Sequence, residues 1–426
     1  MALPPISVDA DASVRTAKRL WRLWAVILAG EAIFVLPFVI PRLFRPTLLR
    51  HWDLDHTTLN VAMSLYGIVA AAAYLLGGPL ADRFPPRRLM VIALMATAAI
   101  GSAMLSRPGP ITLAIVYAGF GLTTILLFWS AMIRVTHDIG GPGHRGVSFG
   151  ILDAGRGLFA VLLAAAMVEI LAFVADGSAV EAIIALGVAV VMTAAIAVGW
   201  TLGPSALSRN RLDAPEKRFE WRQIRTVCSR PAVWLQGGVL LFAYIGYKAI
   251  DYVGSFATDV HGLDEVAAAR LTQTVFWIRP AAALAAGFWS DRQNGFGLLA
   301  VFFFVMAASA GWLAVGATAS WTFAVLLCSV GTLGASVYAM RAVYFAIFDA
   351  LDVEPRHVGT AAGIVSTVGF LPDIFFGPLA GYWIDNHPAA TGYRDLFAAV
   401  AAAGMAGMLI SLTQLRNRRP SFPTPN

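Results

Sequence analysis

Gly78-Pro79-Leu80-Ala81-Asp82-Arg83-Phe84-Pro85-Pro86-Arg87-Arg88 closes one long apolar run, and Gly287-Phe288-Trp289-Ser290-Asp291-Arg292 closes another, 209 residues later. Both begin Gly-x-x-x-Asp-Arg, and their offset is close to half of the 426 residues. A motif that recurs at the ends of equivalent apolar runs marks a duplicated unit, here a parallel repeat of two six-span bundles about an axis along the membrane normal.

Working outward from the two motifs, the rest of the chain fits a membrane protein. It is 58% hydrophobic and 13% charged, against about 25% charged for an ordinary soluble domain, which excludes a soluble enzyme. A bilayer crossing takes roughly 20 apolar residues. Apolar runs at 23–41, 58–80, 89–106, 111–133, 147–173, 179–202, 231–257, 266–289, 296–317, 321–347, 358–384 and 395–414 predict twelve spans. The fold expected is therefore all-α and polytopic, with twelve transmembrane helices in two six-helix halves. The halves fall at 23–202 and 231–414, flanked by an N-terminal tail (1–22) and a C-terminal tail (415–426). A polar linker (203–230) that contains Pro204, Asp213, Pro215, Glu216 and Lys217 joins them.

Basic residues give an independent check, because they collect in cytoplasmic connections. With the N-terminus inside, twenty-one of the 31 Lys and Arg fall on the cytoplasmic side. Five (Arg42, Arg45, Arg50, Arg107 and Arg394) fall opposite, and five (Arg156, Lys248, Arg270, Arg279 and Arg341) lie within spans. Both termini are thus expected in the cytoplasm of a multi-pass inner-membrane protein. The formal charge of +6 reports this topology and not a nucleic-acid partner. The first run has no small-residue cleavage site and is expected to remain in the mature protein. Cys228 and Cys328 have no partner at CxxC spacing, no metal-ligand spacing occurs, and no phosphate-cradling glycine loop is present. Neither a metal, a cofactor nor direct ATP drive is expected.

The stretch from Gly78 to Arg88 resembles the loop motif of the major facilitator superfamily, departing from it at Pro85, where that family usually has glycine. The resemblance extends over essentially the whole chain through span count, midpoint linker and repeated motif. It implies a monomeric secondary transporter of a small-molecule solute that works by alternating access in a lipid bilayer. It also implies a conformational latch formed by Gly78, Asp82, Arg83, Arg87 and Arg88, with a second copy at Gly287, Asp291 and Arg292. Gly78 would allow close helix approach, and Asp82 would face the positive end of a neighbouring helix. Alternatively Asp82 caps a turn and the arginines only set topology.

Two features of proton-driven drug exporters in the same superfamily are missing: span 4 (111–133) has no central arginine, and span 5 lacks a Gly-Pro-rich signature. Asp153-Ala-Gly-Arg156-Gly-Leu, Met340-Arg341-Ala-Val-Tyr344-Phe and Gly369-Phe-Leu-Pro-Asp373-Ile-Phe-Phe resemble bacterial members loosely related to organophosphate and organic-anion transporters.

Ionisable groups inside a membrane need a partner, water or a function. Glu31, Lys248, Arg279 and Asp373 lie near the middle of their spans, with Asp153, Arg156, Asp251 and Arg341 displaced from it. Glu169, Glu181 and Arg270 lie close enough to span ends to reach water. Asp153 with Arg156, and Lys248 with Asp251, are three apart and can neutralise each other locally, while Glu31, Arg279, Arg341 and Asp373 must look across to other helices. Arg279-Pro280 and Pro372-Asp373 mark helix breaks expected at a cavity or hinge. In the superfamily's architecture spans 1, 4, 7 and 10 line the cavity, while 2, 5, 8 and 11 face one another between halves. Glu31, Lys248 and Arg341 would then line the cavity, with Arg279 and Asp373 at the seam.

Tyr244, Tyr247, Tyr338 and Tyr344 accompany the cations of spans 7 and 10; they suit either ligand contact or helix packing. The expectation is an anionic solute held by Lys248, Arg341 and Arg279, arginine supplying the planar fork. Glu31 or Asp373 would carry a coupling proton or pair with these cations, as symporter or anion-exchanging antiporter. A proton-coupled exporter of hydrophobic or cationic compounds is the alternative. A membrane enzyme is the remote one, since His137-Asp138 is the nearest thing to a catalytic pair and no catalytic residue is assigned.

Overall fold

The computed structural model describes residues 10–140, 145–174, 178–202, 221–290, 294–319, 321–344 and 358–417. These are almost wholly helical, with no strand among the described residues. Among the described residues eleven helices are long and apolar enough to cross a membrane: Leu20–Leu43, His56–Tyr74, Pro86–Ser106, Pro110–Ile139, Gly150–Phe173, Ala179–Thr201, Pro231–Asp259, Gly295–Gly316, Phe323–Val343, Gly363–Asn386 and Ala389–Arg416. They are spans 1 to 7 and 9 to 12. Span 8 is Glu265–Ser290, more polar than the rest because it carries Glu265, Arg270 and Arg279. Arg270 sits 3.7 Å from Glu169, both more than half exposed.

Local chemistry fixes where spans begin. Pro86, Pro110 and Pro231 occupy the first turn of their helices, where a missing N–H costs nothing because no partner exists for it. Asp55 caps span 2 by accepting from the Thr58 N–H at 2.7 Å, and Asn294 caps span 9 by accepting from the Phe296 N–H at 3.1 Å, satisfying donors left free at a helix start.

Buried side chains form two apolar cores. One gathers residues from Leu23 to Leu202 and adds Ala269 and Phe276 of span 8. The other runs from Val227 to Ala403. Between them spans 2 and 11 make a seam too close for side chains at two glycines. A Cβ on Gly67 would stand 2.9 Å from the Asp373 backbone, and one on Gly381 would stand 2.8 Å from the Thr57 backbone. Small residues permit such backbone approach.

Helical regularity breaks in three of the spans that carry charges, and also over Leu122–Trp129 of span 4, which carries none. In span 1 the α-helix gives way to π-type turns over Val35–Val39, around Pro37. Span 7 tightens to a 3-10 turn over Ile250–Tyr252, which carries Asp251. Span 11 stops at Gly369 and restarts at Pro372, beside Asp373. The break expected at Pro280 does not form: Glu265–Ser290 continues through it, since a proline removes one donor and neighbours re-satisfy the backbone.

Two arginines expected in a connection are buried instead: Arg42 is 4% exposed and Arg45 1%. The first helix continues past residue 41, and a short helix, Arg45–Trp52, follows with Arg45 to Leu49 and Trp52 buried. His137, expected in a connection, lies within Pro110–Ile139. It stands 3.4 Å from Asp138, both open to solvent.

Candidate central cavity

A cavity of about 380 Å³ lies between the two cores. Its walls come from spans 1, 2, 4, 5, 7, 8 and 11 and the end of span 10. The expected division into lining and seam spans is therefore corrected: Arg279 of span 8 and Asp373 of span 11 line the cavity alongside Glu31, Lys248 and Arg341. Tyr66, Gly67 and Tyr74 of span 2 and Phe370 of span 11 enter the wall beside them.

The charges form two groups. At the end where spans 1 and 2 connect, Arg42 crosses between the cores: its Nε donates to Asp251 at 2.5 Å and its Nη1 to the Tyr247 hydroxyl at 2.7 Å. Lys248 lies 3.0 Å from Asp251 and 3.4 Å from Asp373, so the local pair read from the sequence forms. The Tyr244 hydroxyl donates to the Asp373 carboxylate at 3.0 Å. Arg45 donates to the Asp251 carbonyl at 2.9 Å and to Asn60 at 3.0 Å. A buried carboxylate is stable only when such partners surround it.

In the second group, Glu31 stands 3.3 Å from Arg156 and 3.8 Å from Arg279, and Arg279 stands 3.8 Å from Asp153. The expected Asp153–Arg156 pair is thus exchanged. The Asp153 side chain is 71% exposed, whereas Glu31, 4% exposed, draws Arg156 to itself. Arg341 differs from all of these. It lies over the Tyr247 ring at 4.6 Å and has no carboxylate partner among the described residues.

Aromatic rings line the wall beside it. Tyr244 stacks on Tyr247 at 5.4 Å, Phe370 meets Tyr244 edge-on at 4.9 Å, and Tyr74 stacks on Phe370 at 6.0 Å. Tyr344 also lines the cavity, whereas Tyr338 and Asp251 do not. Tyr338 is buried behind the wall, 5.8 Å from the Arg279 guanidinium. Asp251 lies beneath Lys248 and Arg42.

Of the expected latch, Arg83 and Arg88 are exposed, and Arg87 donates to the Gly199 carbonyl of span 6. Gly287 has open space where a Cβ would stand, so no close helix approach requires it. The Gly78 and Asp82 side-chain positions, and Asp291 and Arg292 entirely, lie outside the described residues. Among the described residues no cluster of His, Cys, Asp or Glu suits a metal ion.

The sequence reading missed Arg42. Its signal is present in Ile40-Pro41-Arg42-Leu43-Phe44, where an arginine interrupts a run that stays apolar on both sides.

The cavity between two helical cores agrees with what related chains are. The Major Facilitator Superfamily profile matches residues 23–377. Inner membrane protein YqcE of Escherichia coli (strain K12) is 24% identical over 404 residues, 93% of this chain and 94% of that protein. Among solved structures, a bacterial homologue of the human lysosomal transporter Spinster, inward-facing and unoccupied, superposes with a TM-score of 0.68 at 18% identity. That match covers 95% of this chain and 99% of the other. The nucleoside transporter NupG gives 0.69 at 13% identity, over 95% and 99%.

Proposed function

This chain belongs to the major facilitator superfamily, and from that premise we propose that it moves a small polar organic anion across the inner membrane by alternating access, driven by proton symport or anion exchange. The observation that carries the reading is Arg341: a cation in the cavity wall with no carboxylate partner among the described residues. A guanidinium in a low-dielectric site draws an anion and can hold a carboxylate, phosphate or sulfonate through two parallel hydrogen bonds.

Both termini lie in the cytoplasm on this reading, with 203–230 as a cytoplasmic linker between the halves. Removing Arg42 and Arg45 from the outer connections leaves only Arg50, Arg107 and Arg394 there, which sharpens the charge bias that supports the orientation. The end where spans 1 and 2 connect is then the outer face. Contacts between the halves gather there: Arg42 on Asp251, Arg50 on Glu265 at 2.5 Å, and Asp385 accepting from Thr57 at 2.6 Å. The outer mouth is closed in this arrangement. Glu31 and Asp373 occupy the cavity wall as counter-ions or proton carriers, and Asp82 with Arg83, Arg87 and Arg88 latches the cytoplasmic side.

The test is a thermal-shift panel on the detergent-purified chain, covering sugar acids, phosphates, sulfonates, dicarboxylates and hydrophobic cations, because a ligand of the folded state raises its stability. Stabilisation by anions that Arg341→Ala abolishes is expected. Stabilisation by hydrophobic cations alone overturns the reading in favour of an exporter centred on Glu31 and Asp373. Asp82→Asn is expected to shift the inward/outward equilibrium and slow transport; no change in either removes the latch.

A further inference from the structure

The cavity counts charge. Five cations stand in its wall, and four are already held: Arg42 by Asp251 at 2.5 Å, Lys248 by Asp251 and Asp373 at 3.0 and 3.4 Å, Arg156 by Glu31 at 3.3 Å, and Arg279 by Glu31 and Asp153 at 3.8 Å each. The fifth, Arg341, rests on the Tyr247 ring. An anion with a single charge docks on Arg341 and breaks no pair. A second charge on the same ligand must take a cation from Glu31, Asp153 or Asp373, and it stands close to the carboxylate it displaces. Like charges brought together in a site of low dielectric repel strongly, and a carboxylate stripped of its partner is left buried and unpaired.

The wall beside Arg341 is aromatic. Tyr247 lies beneath the guanidinium, Tyr244 stacks on Tyr247 at 5.4 Å, and Phe370 and Tyr74 extend the surface towards span 2 at 4.9 and 6.0 Å. Aromatic side chains next to a cation suit a ligand that carries a ring beside its charge. A volume of about 380 Å³ sits near the lower end of the usual range for small-molecule sites, about 300–1,000 Å³, and admits one ring with its anionic group.

We propose that the cavity selects monoanions whose single charge adjoins a flat ring, of the aryl carboxylate or aryl sulfonate class, and discriminates against dianions of the same shape. This rests on the anion reading above and narrows it to one charge state and one shape.

The experiment compares benzenesulfonate with phenyl phosphate, which differ little in size, by calorimetric titration of the full chain in detergent. At pH 8 phenyl phosphate is a dianion, and at pH 5 it is largely a monoanion, because the second proton of a phosphate monoester titrates near pH 6. Benzenesulfonate keeps one charge throughout and reports any change in the protein itself. At pH 8 benzenesulfonate is expected to bind at least tenfold tighter than phenyl phosphate, and at pH 5 the ratio is expected to fall to within about threefold. Succinate and gluconate are expected to bind at least tenfold more weakly than benzoate. Arg341→Ala is expected to remove benzenesulfonate binding, and Arg341→Lys, which keeps the charge without the fork, to retain part of it.

Phenyl phosphate binding as tightly as benzenesulfonate at pH 8 overturns the charge count while leaving an anion transporter in place. Gluconate matching benzoate overturns the ring preference alone. Failure of every anion to bind, or binding unaltered in Arg341→Ala, sinks the anion reading with it. The comparison of the two ligands at two pH values needs no variant and stands even where a substitution prevents folding.

Discussion

Replacing Arg42 by methionine is expected to open the end of the molecule that Arg42 closes. The guanidinium donates to Asp251 at 2.5 Å and to the Tyr247 hydroxyl at 2.7 Å, and both acceptors belong to the opposite core. Methionine keeps much of the side-chain volume and removes the charge. Hydrogen bonds to charged groups contribute about 1.5–3 kcal/mol each, and orphaning a buried charge costs about 3–5 kcal/mol. Asp251 is not orphaned, because Lys248 remains 3.0 Å away, so only the charged bond to Asp251 counts as lost, about 1.5–3 kcal/mol, the Tyr247 hydroxyl being free to turn to another partner. That loss falls on the closed arrangement alone, because parting the halves separates Arg42 from Asp251 in the unmodified protein as well. At about 1.4 kcal/mol per factor of ten, the ratio of open to closed states at this end rises roughly ten- to hundredfold. Spin labels at Ser106 and Ala319, both exposed and one on each half, read the change as a longer component in the distance distribution. Asp251→Asn is expected to act in the same direction, and the double variant to fall short of the sum, since the two residues share one interaction. A distribution unchanged in both single variants would refute the assignment of this pair as the closure.

Glu31→Gln frees Arg156 and Arg279 from a shared carboxylate and is expected to tighten anion binding severalfold in a calorimetric titration; weaker binding would show that Glu31 organises the site instead of competing for it. Gly381→Leu places a side chain where even a Cβ stands 2.8 Å from the Thr57 backbone; overpacking of this kind costs about 1–3 kcal/mol. The 2–11 seam is then expected to part in the same spin-label assay, with Tm lowered. His261, outside the spans, packs against Phe256 and Trp321, and burial holds its imidazole below the usual 6.5. Its neutral form is favoured by folding, so stability is full above pH 6.5 and declines as pH falls from there through the lowered value. His261→Phe is expected to flatten that part of a Tm-against-pH curve, and an unaltered slope would assign it to other groups.

Twelve spans, their order and the family were legible because hydropathy and basic-residue bias act over whole segments and tolerate errors of a few residues at each end. The pairing of charges was legible only where it is local. Lys248 and Asp251 are one turn apart and meet. Asp153 and Arg156 have the same spacing and do not, because a carboxylate open to water makes a weaker claim on a guanidinium than one sealed in the core. Spacing along a helix says which groups share a face; it does not say which of them is dry. Arg42 escaped for the opposite reason. A charge at the end of an apolar run reads as the start of a connection, and only the packing of span 7 against span 1 shows that the chain stays buried there. The aromatic wall was half visible: Tyr244 and Tyr247 follow from their spacing to Lys248, while Tyr74 and Phe370 come from spans whose approach no one-dimensional pattern records.

Arg42 and Asp251 are 209 positions apart, the same offset that relates the two Gly-x-x-x-Asp-Arg motifs. A residue touching its own counterpart is what a twofold axis produces at the place it passes through. An ancestral bundle that paired with an identical copy would have set arginine against arginine or aspartate against aspartate at this point, and either would have pushed the copies apart. The bond between Arg42 and Asp251 is therefore one that two identical bundles could not make; it requires opposite signs at equivalent positions of the two halves.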